Sequence, residues 1–418
     1  MDNKDFIKKH LNDDVNKLAL SKLPEGIDRD FVIRQIQARQ LLKKKLLSWA
    51  ENDELIFPKK LSLEQCSSEY TARYKSLLIK GKTLIDLTGG MGVDTAFLSD
   101  NFDKTYYVEM QEELCEIAKH NFQVLNKNIE VVNDNAEHFL TTCDEVDCIY
   151  LDPARRDEYG RKMVSLHDCS PDVAELHDIL LKKAKRVLVK VSPMLDIEMI
   201  KKELTGIAEI HVVAVRNECK EILVVLGQQT EDNAQQTPSM ACGSRLIAID
   251  LRENWNFTLT EDEEHNAEWT LADAVGRYLY EPGVACMKAA PFKLLSQKFN
   301  IKKLHRNSHL YTSDDLVPDF PGRMFEVLNV VPFDKKTKKS IWENQSYKDA
   351  KTQRCEDSET LSLCYSTTSR KASVAVRNFP LSAEELKKNL GLQDGDDFYI
   401  FGTTMKGEKK VVVLTKKV

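Results

Sequence analysis

The sequence predicts an α/β protein built around a parallel sheet, with a helical segment before it and further α/β units behind it. Three observations lead there. From Thr83 onward, five short apolar runs alternate with helical patterns, as in strands joined by crossover helices and covered on both faces. The next two runs, IHVVAVR (210–216) and EILVVLG (221–227), are separated only by Asn217 to Lys220. So short a link excludes a parallel crossover and makes the pair antiparallel. A polar stretch without periodicity, QQTEDNAQQTPS (228–239), then sets this region apart from the rest.

The elements follow in order. Residues 5 to 20, DFIKKHLNDDVNKLAL, place Phe6, Ile7, Leu11, Val15 and Leu18 on one helical face, and residues 30 to 52 repeat the pattern over a longer span. This makes 1–66 a helical region. After Pro58, Ser62 and Gln65 have capping-box spacing, and Tyr70, Tyr74, Leu77 and Leu78 share a face. The strands TLIDL, TYYVEM, IEVVND, DCIYLD and RVLVKVS follow, with helices fitting 92–100, 111–125, 135–141 and 171–184. Together with the antiparallel pair they define a domain over 67–228, and a linker is expected over 229–242. A second α/β region, 243–330, begins with RLIAIDL and EWTLADAVGRYLYEP. A third, 331–418, begins near DKKTKKS and ends in a hairpin with Lys406 and Gly407 at its turn.

At 418 residues, two to three domains are expected, and 42% apolar residues suffice for them. No run of about 18 apolar residues occurs and the first residues, MDNKDFIKKH, lack a signal-peptide core, so a cytoplasmic protein without a membrane anchor is expected. Ten cysteines are scattered without a C-x-x-C pair, which points to reduced thiols and no zinc site. The net charge of −6 argues against a chain coated with nucleic acid. Residues 331–418 nevertheless hold 17 Lys/Arg against 12 Asp/Glu, which is compatible with an RNA contact there.

The segment LIDLTGGMGVD (84–94) turns from a strand into a helix through Gly89, Gly90 and Gly92, a place where free N–H groups and a helix N-terminus meet a ligand. Four readings compete. A triphosphate loop lacks its upstream glycine, because Ser76 stands there, and Gly81-Lys82-Thr83 precedes the strand. A dinucleotide loop has different glycine spacing, and Asp94 would repel a phosphate. A purely structural turn is the third reading. The fourth is S-adenosylmethionine, a phosphate-free cation that needs carboxylates over a glycine floor. Asp86 ends the first strand, where it can meet the ammonium; Glu109 ends the second, suited to both ribose hydroxyls; Asp134 with Asn135 ends the third, suited to the adenine amino group; Asp152 ends the fourth. Ligands of open α/β sheets bind at these strand ends.

With EQCSSEYTA, DLTGGMGVD, DPARRD, VSPMLD, NECKE, NSHLYTS, FPGR and RNFP, the chain resembles the class I S-adenosylmethionine-dependent methyltransferases, and more closely a bacterial family with a THUMP-like C-terminal domain. The resemblance implies a Rossmann-like seven-stranded methyltransferase sheet with a reversed final hairpin, then ferredoxin-like (243–330) and THUMP-like (331–418) units. THUMP domains bind RNA, so an RNA substrate, rRNA or tRNA, is implied. S-adenosyl-L-methionine is the implied cofactor, held by Asp86, Thr88, Gly89, Gly90, Gly92, Glu109, Met110, Asp134 and Asn135. The match of CSSEYTA to the segment before the first strand adds Ser68 and Thr71, with Ser67 and Glu69 beside them, although an ordinary helix N-terminus explains these residues equally well.

Methyl transfer is an in-line displacement, in which a protein chiefly supplies orientation and a place for the acceptor's proton. Asp152, Pro153, Arg155 and Arg156, after the fourth strand, are the candidates. Asp152 would orient the acceptor or take its proton. Ala154 and Arg155 stand where many exocyclic-amine methyltransferases carry a second proline and an aromatic. Arginines can instead clamp a phosphate, with Tyr159 stacking nearby, or pair with Asp157 and Glu158 on the surface. No cysteine follows the fifth strand, which argues against covalent attack on a pyrimidine ring. His305 and His309 have metal-compatible spacing but no evident third ligand, so no metal is expected. An NAD-type oxidoreductase and a non-catalytic RNA-binding protein with this fold are the alternatives.

Overall fold

The computed structural model describes residues 2–155, 165–227, 244–342 and 371–418, and the chain divides into two compact units. The first contains residues 1–215 and 219–245, and the second 216–218 and 246–418.

Three helices open the first unit: α1 (Asn3–His10), α2 (Val15–Leu20) and α3 (Arg29–Leu42). Asp2, Asp14 and Asp28 cap them by accepting from first-turn N–H groups. The expected single helix over 5–20 therefore breaks, because Asp14 restarts the chain as a new N-cap. Phe6, Ile7, Val32 and Ile36 still gather into one buried cluster. The longer span also breaks after Leu42, where Lys45 Nζ donates to the carbonyls of Leu63 and Glu64. The expected capping box at Ser62 and Gln65 is not formed. Ser68 caps the following helix, α4 (Glu69–Ser76), accepting from Thr71 N.

The sheet strands of this unit are β1 (Gly81–Asp86), β2 (Phe102–Glu109), β3 (Ile129–Asn133), β4 (Val146–Leu151), β5 (Ala184–Val191), β6 (Ile207–Val215) and β7 (Glu218–Gly227). They lie in the order β6-β7-β5-β4-β1-β2-β3. The pairs among β1 to β5 are parallel, and β7 runs antiparallel to β5. Arg216 and Asn217, both left-handed at φ 54° and 57°, turn β6 directly into β7. Helices α5 (Val93–Leu98), α6 (Glu112–Val124), α7 (Ala136–Thr142) and α8 (Val173–Lys183) form the crossovers. Tyr107 and Phe122 pack edge-to-face with Leu42, Trp49 and Ala72 in the core over one face.

In the second unit, a hairpin of β8 (Arg245–Asp250) and β9 (Trp255–Leu259) lies outside the main sheet. That sheet contains β10 (Tyr278–Pro282), β11 (Lys302–Lys303), β12 (Tyr311–Ser313), β13 (Gly322–Pro332), β14 (Ser373–Arg377), β15 (Tyr399–Met405) and β16 (Lys409–Lys417), ordered β11-β12-β10-β13-β16-β15-β14. The expected division between residues 330 and 331 falls inside β13, which pairs with β10 on one side and with β16 on the other. The final hairpin turns at Lys406–Glu408, as its sequence implies. The expected linker at 229–242 lies outside the described residues. No helix among the described residues is long and apolar enough to cross a membrane.

Candidate active site

A cleft of about 270 Å³ opens at the carboxyl ends of β1, β2, β3 and β4. Its floor is the turn after β1. A Cβ on Gly89 would lie 2.3 Å from the Tyr107 ring, so only glycine lets the loop seat against β2. Gly92 starts α5 at φ 80°, and a Cβ there would meet Phe122 at 2.8 Å. The spacing of these glycines thus follows partly from packing beneath the loop.

Asp86 is almost wholly buried, accepting from Thr88 N at 3.0 Å and from Thr95 Oγ1 at 2.5 Å. Burial pushes its carboxyl up to about 7, against the pull of those two hydrogen bonds. Glu109 closes β2, one oxygen accepting Gly90 N and the other Gln111 N, both at 2.9 Å. A carboxylate has about four acceptor positions, so two remain for a pair of hydroxyls. Met110 lines the cleft and is 73% exposed. Asp134 takes His138 Nδ1 at 2.7 Å and Asn135 N at 2.8 Å, and the His138 bond holds its carboxyl below the ordinary range. Asn135 caps α7 through His138 N, which leaves its amide nitrogen for another acceptor.

Asp152 follows β4, its N–H donating to Thr88 Oγ1 at 2.6 Å and its Oδ2 accepting from Lys190 Nζ. The loop that forms the floor and the loop that would face an acceptor are thereby tied together through Thr88. Behind them lies a buried charge cluster absent from the sequence expectations. Lys75 Nζ, fully buried, reaches both Glu221 oxygens at 2.9 Å, Ser67 Oγ at 3.0 Å and Asp94 Oδ1 at 3.3 Å. Asp94 Oδ2 also accepts from Ser67 and from Tyr150, each at 2.7 Å. Burial raises the Asp94 carboxyl, but Lys75 and Lys190 outweigh it and hold it ionised; for Glu221 burial wins and the shift is upward. Burial also works against the Lys190 ammonium, and Asp152, Asp94 and Glu221 together overcome it.

Asp86, Thr88, Gly89, Gly90, Gly92, Glu109, Met110, Asp134, Asn135 and Asp152 all line this cleft. Ser68 and Thr71 do not, since their hydroxyls are spent on capping α4; Ser62, Gln65, Cys66 and Ser67 line it from that side. Pro153 is not in the lining either, whereas Ala154 is. Arg155 pairs with Cys169 in a short antiparallel ribbon, and Arg156, Asp157, Glu158 and Tyr159 lie outside the described residues. Tyr150, Lys75 and Glu221 went unnoticed in the sequence, and Asp94 and Lys190 were not expected to join them in a buried cluster. Tyr150 and Lys190 stand at strand ends next to an expected ligand end, a signal that could have found them. His305 bonds Glu408 and Asn378, and His309 stacks on Phe292. Among the described residues no group of three or more His, Cys, Asp or Glu is arranged for a metal.

A parallel sheet closed by a reversed hairpin, with carboxylates and a glycine floor at its carboxyl edge, defines a class I methyltransferase. Comparison with known proteins narrows this. A family model described as conserved hypothetical protein 95 matches residues 66–214, a ferredoxin-like domain matches 278–321 and a THUMP-like domain matches 361–417. A crystal structure from Porphyromonas gingivalis W83, with a provisional methyltransferase designation, is 31% identical, spans 100% of this chain and 97% of its own, and superposes with a TM-score of 0.81. Two relatives from Mycobacterium tuberculosis, strains H37Rv and CDC 1551 / Oshkosh, are each named as an uncharacterized S-adenosylmethionine-dependent methyltransferase; both are 22% identical over 280 residues, 67% of this chain and 72% of theirs. The chain belongs to this family of S-adenosylmethionine-dependent methyltransferases, and itself carries the ferredoxin-like and THUMP-like matches.

Proposed function

We propose that this methyltransferase modifies RNA in the cytoplasm. The observation that carries the reading is the set of exposed lysines on the final hairpin, Lys406, Lys409 and Lys410 at its turn and Lys416 and Lys417 at the far end of its last strand, inside the segment that matches a THUMP-like domain. Such lysines neutralise phosphates and make binding salt-dependent. In the cleft, Asp86 would hold the cofactor's ammonium, Glu109 its ribose hydroxyls, and Asp134 with Asn135 its adenine edge, with Met110, Gly89, Gly90 and Gly92 completing the lining around it. The donor set fits a phosphate-free cation, since buried and half-buried carboxylates surround the floor. When bound, S-adenosylmethionine supplies a methyl carbon on a cationic sulfur. Asp152 accepts a hydrogen bond from the acceptor's N–H or O–H, aims its lone pair and takes its proton as the new bond forms. Pro153 stiffens the chain beside it, and Arg155 and Arg156 grip substrate phosphate. Labelled-methyl transfer to total RNA, followed by nucleoside mass spectrometry, tests the reading. A methylated nucleoside is expected; transfer to protein or small metabolites but not to RNA would overturn the substrate assignment.

A further inference from the structure

Lys190 has no place in the reading above, yet its position is unusual. β4 and β5 pair in parallel with Leu151 opposite Val189, so Asp152, the first residue after β4, comes beside Lys190, the next residue of β5. Lys190 Nζ donates to Asp152 Oδ2, and the Asp152 main chain is held separately by Thr88. The lysine side chain is 14% exposed and the aspartate 33%, and of the two Asp152 lines the cleft. The charged groups around Lys190 come from several elements: Asp152 after β4, Asp94 on α5, Glu221 on β7 and, as a like charge, Lys45 from the turn after α3. Asp94 and Glu221 are already bonded to Lys75, which leaves Asp152 as the carboxylate to which Lys190 gives its hydrogen bond.

We propose that Lys190 is a positioning residue for methyl transfer: its ammonium pins one oxygen of Asp152 so that the rest of the carboxylate keeps a fixed direction toward the methyl acceptor. The inference rests on the reading of Asp152 given above. A carboxylate on a free loop end rotates about two bonds, and an acceptor held by it would wander over distances to which in-line transfer is sensitive. Anchored at the main chain by Thr88 and at Oδ2 by Lys190, Asp152 keeps one geometry relative to the glycine loop. Lys190 itself touches neither cofactor nor acceptor in this arrangement, so its removal acts on the rate and spares cofactor affinity.

The test uses the full chain with labelled S-adenosylmethionine and an extract of cells lacking the gene, separated into RNA, protein and small-molecule fractions, so that a rate is read whatever the acceptor. Lys190→Gln is expected to lower kcat by about tenfold to a hundredfold, the cost of a misplacement near 1 Å, with KM and cofactor affinity changed by no more than about twofold. Lys190→Arg, which keeps the charge and an N–H donor, should recover most of the rate. The double variant Lys190→Gln/Asp152→Asn should be no slower than Asp152→Asn alone, because both act through one contact. A folded Lys190→Gln protein with wild-type kcat, or one whose cofactor affinity falls in step with its rate, overturns the proposal, as does an arginine variant equal in defect to the glutamine one. Asp152→Asn distinguishes the two levels. Full turnover in that variant removes the reading of Asp152 itself, whereas a slow Asp152→Asn beside a fast Lys190→Gln removes only the role of Lys190.

Discussion

Asp86 should make cofactor binding depend on pH near neutrality. Its carboxyl is buried, and desolvation raises it from 3.8 to about 7 against the hydrogen bonds from Thr95 and Thr88. A cationic ligand selects the ionised form, so apparent affinity scales with the ionised fraction, about one tenth at pH 6 and nine tenths at pH 8. Binding of S-adenosylmethionine should therefore tighten about tenfold across that window, with about half a proton released at pH 7. Isothermal titration in buffers of different ionisation enthalpy measures both quantities. The stability consequence has the opposite sense. Between pH 4 and 7 the folded chain binds more protons than the unfolded one, so this group's contribution to stability is complete below about pH 4 and is lost as pH rises through 7. A shift of this size corresponds to about 4 kcal/mol. Asp86→Asn should then stabilise the ligand-free protein at pH 8 while weakening cofactor binding by about tenfold to a hundredfold, the usual worth of a hydrogen bond to a charged group. Wild-type affinity constant from pH 6 to 8, or a pH profile that survives in Asp86→Asn, would refute the reasoning.

Other substitutions probe the rest of the molecule. Glu109→Ala removes the acceptor of Gly90 N and the proposed ribose contact, and should cost about 1.5 to 3 kcal/mol of cofactor affinity by titration with the sheet still folded by circular dichroism; unaltered affinity would dismiss the ribose role. Gly89→Ala drives a methyl into Tyr107 and should lower stability by about 1 to 3 kcal/mol in urea melts. Lys75→Met strands Glu221 and Asp94 as buried carboxylates without their cation, so a loss of about 3 to 5 kcal/mol is expected, and wild-type stability would show the cluster to be dispensable. Replacing Lys409 and Lys410 with glutamate should weaken RNA binding and flatten its salt dependence while leaving S-adenosylmethionine affinity intact; an unchanged salt slope would assign the phosphate contacts elsewhere.

How much of this was legible in the sequence depends on whether a signal is local. The strands of the first unit could be read because a strand buried on both faces is an unbroken apolar run, as in CIYL and VLV, and the reversed hairpin because four residues cannot cross over a sheet. Helix ends were less legible. Asp14 and Ser68 compete as caps with any nearby polar residue, and only the three-dimensional path of the chain shows which one turns. Ser68 and Thr71 matched a binding segment by pattern, and the fold spends their hydroxyls on the start of α4.

The sequence by itself determined that carboxylates would stand at the carboxyl ends of successive parallel strands, because alternation places a strand's last residue at the same edge every time. It also determined that the loop after the first strand would be glycine-floored. Only the tertiary structure decided which carboxylates become buried and paired. Lys75 meets Glu221 across 146 residues and Tyr150 meets Asp94 across 56, contacts that no periodicity encodes. It likewise decided that β13 would carry the chain through the expected domain boundary, since β10 and β16 pair with its two edges and the ladder does not stop at residue 330. The physical reason is common to these cases: charge, burial and strand pairing act between atoms close in space, and the chain brings those atoms together from distant positions only when the whole fold is made.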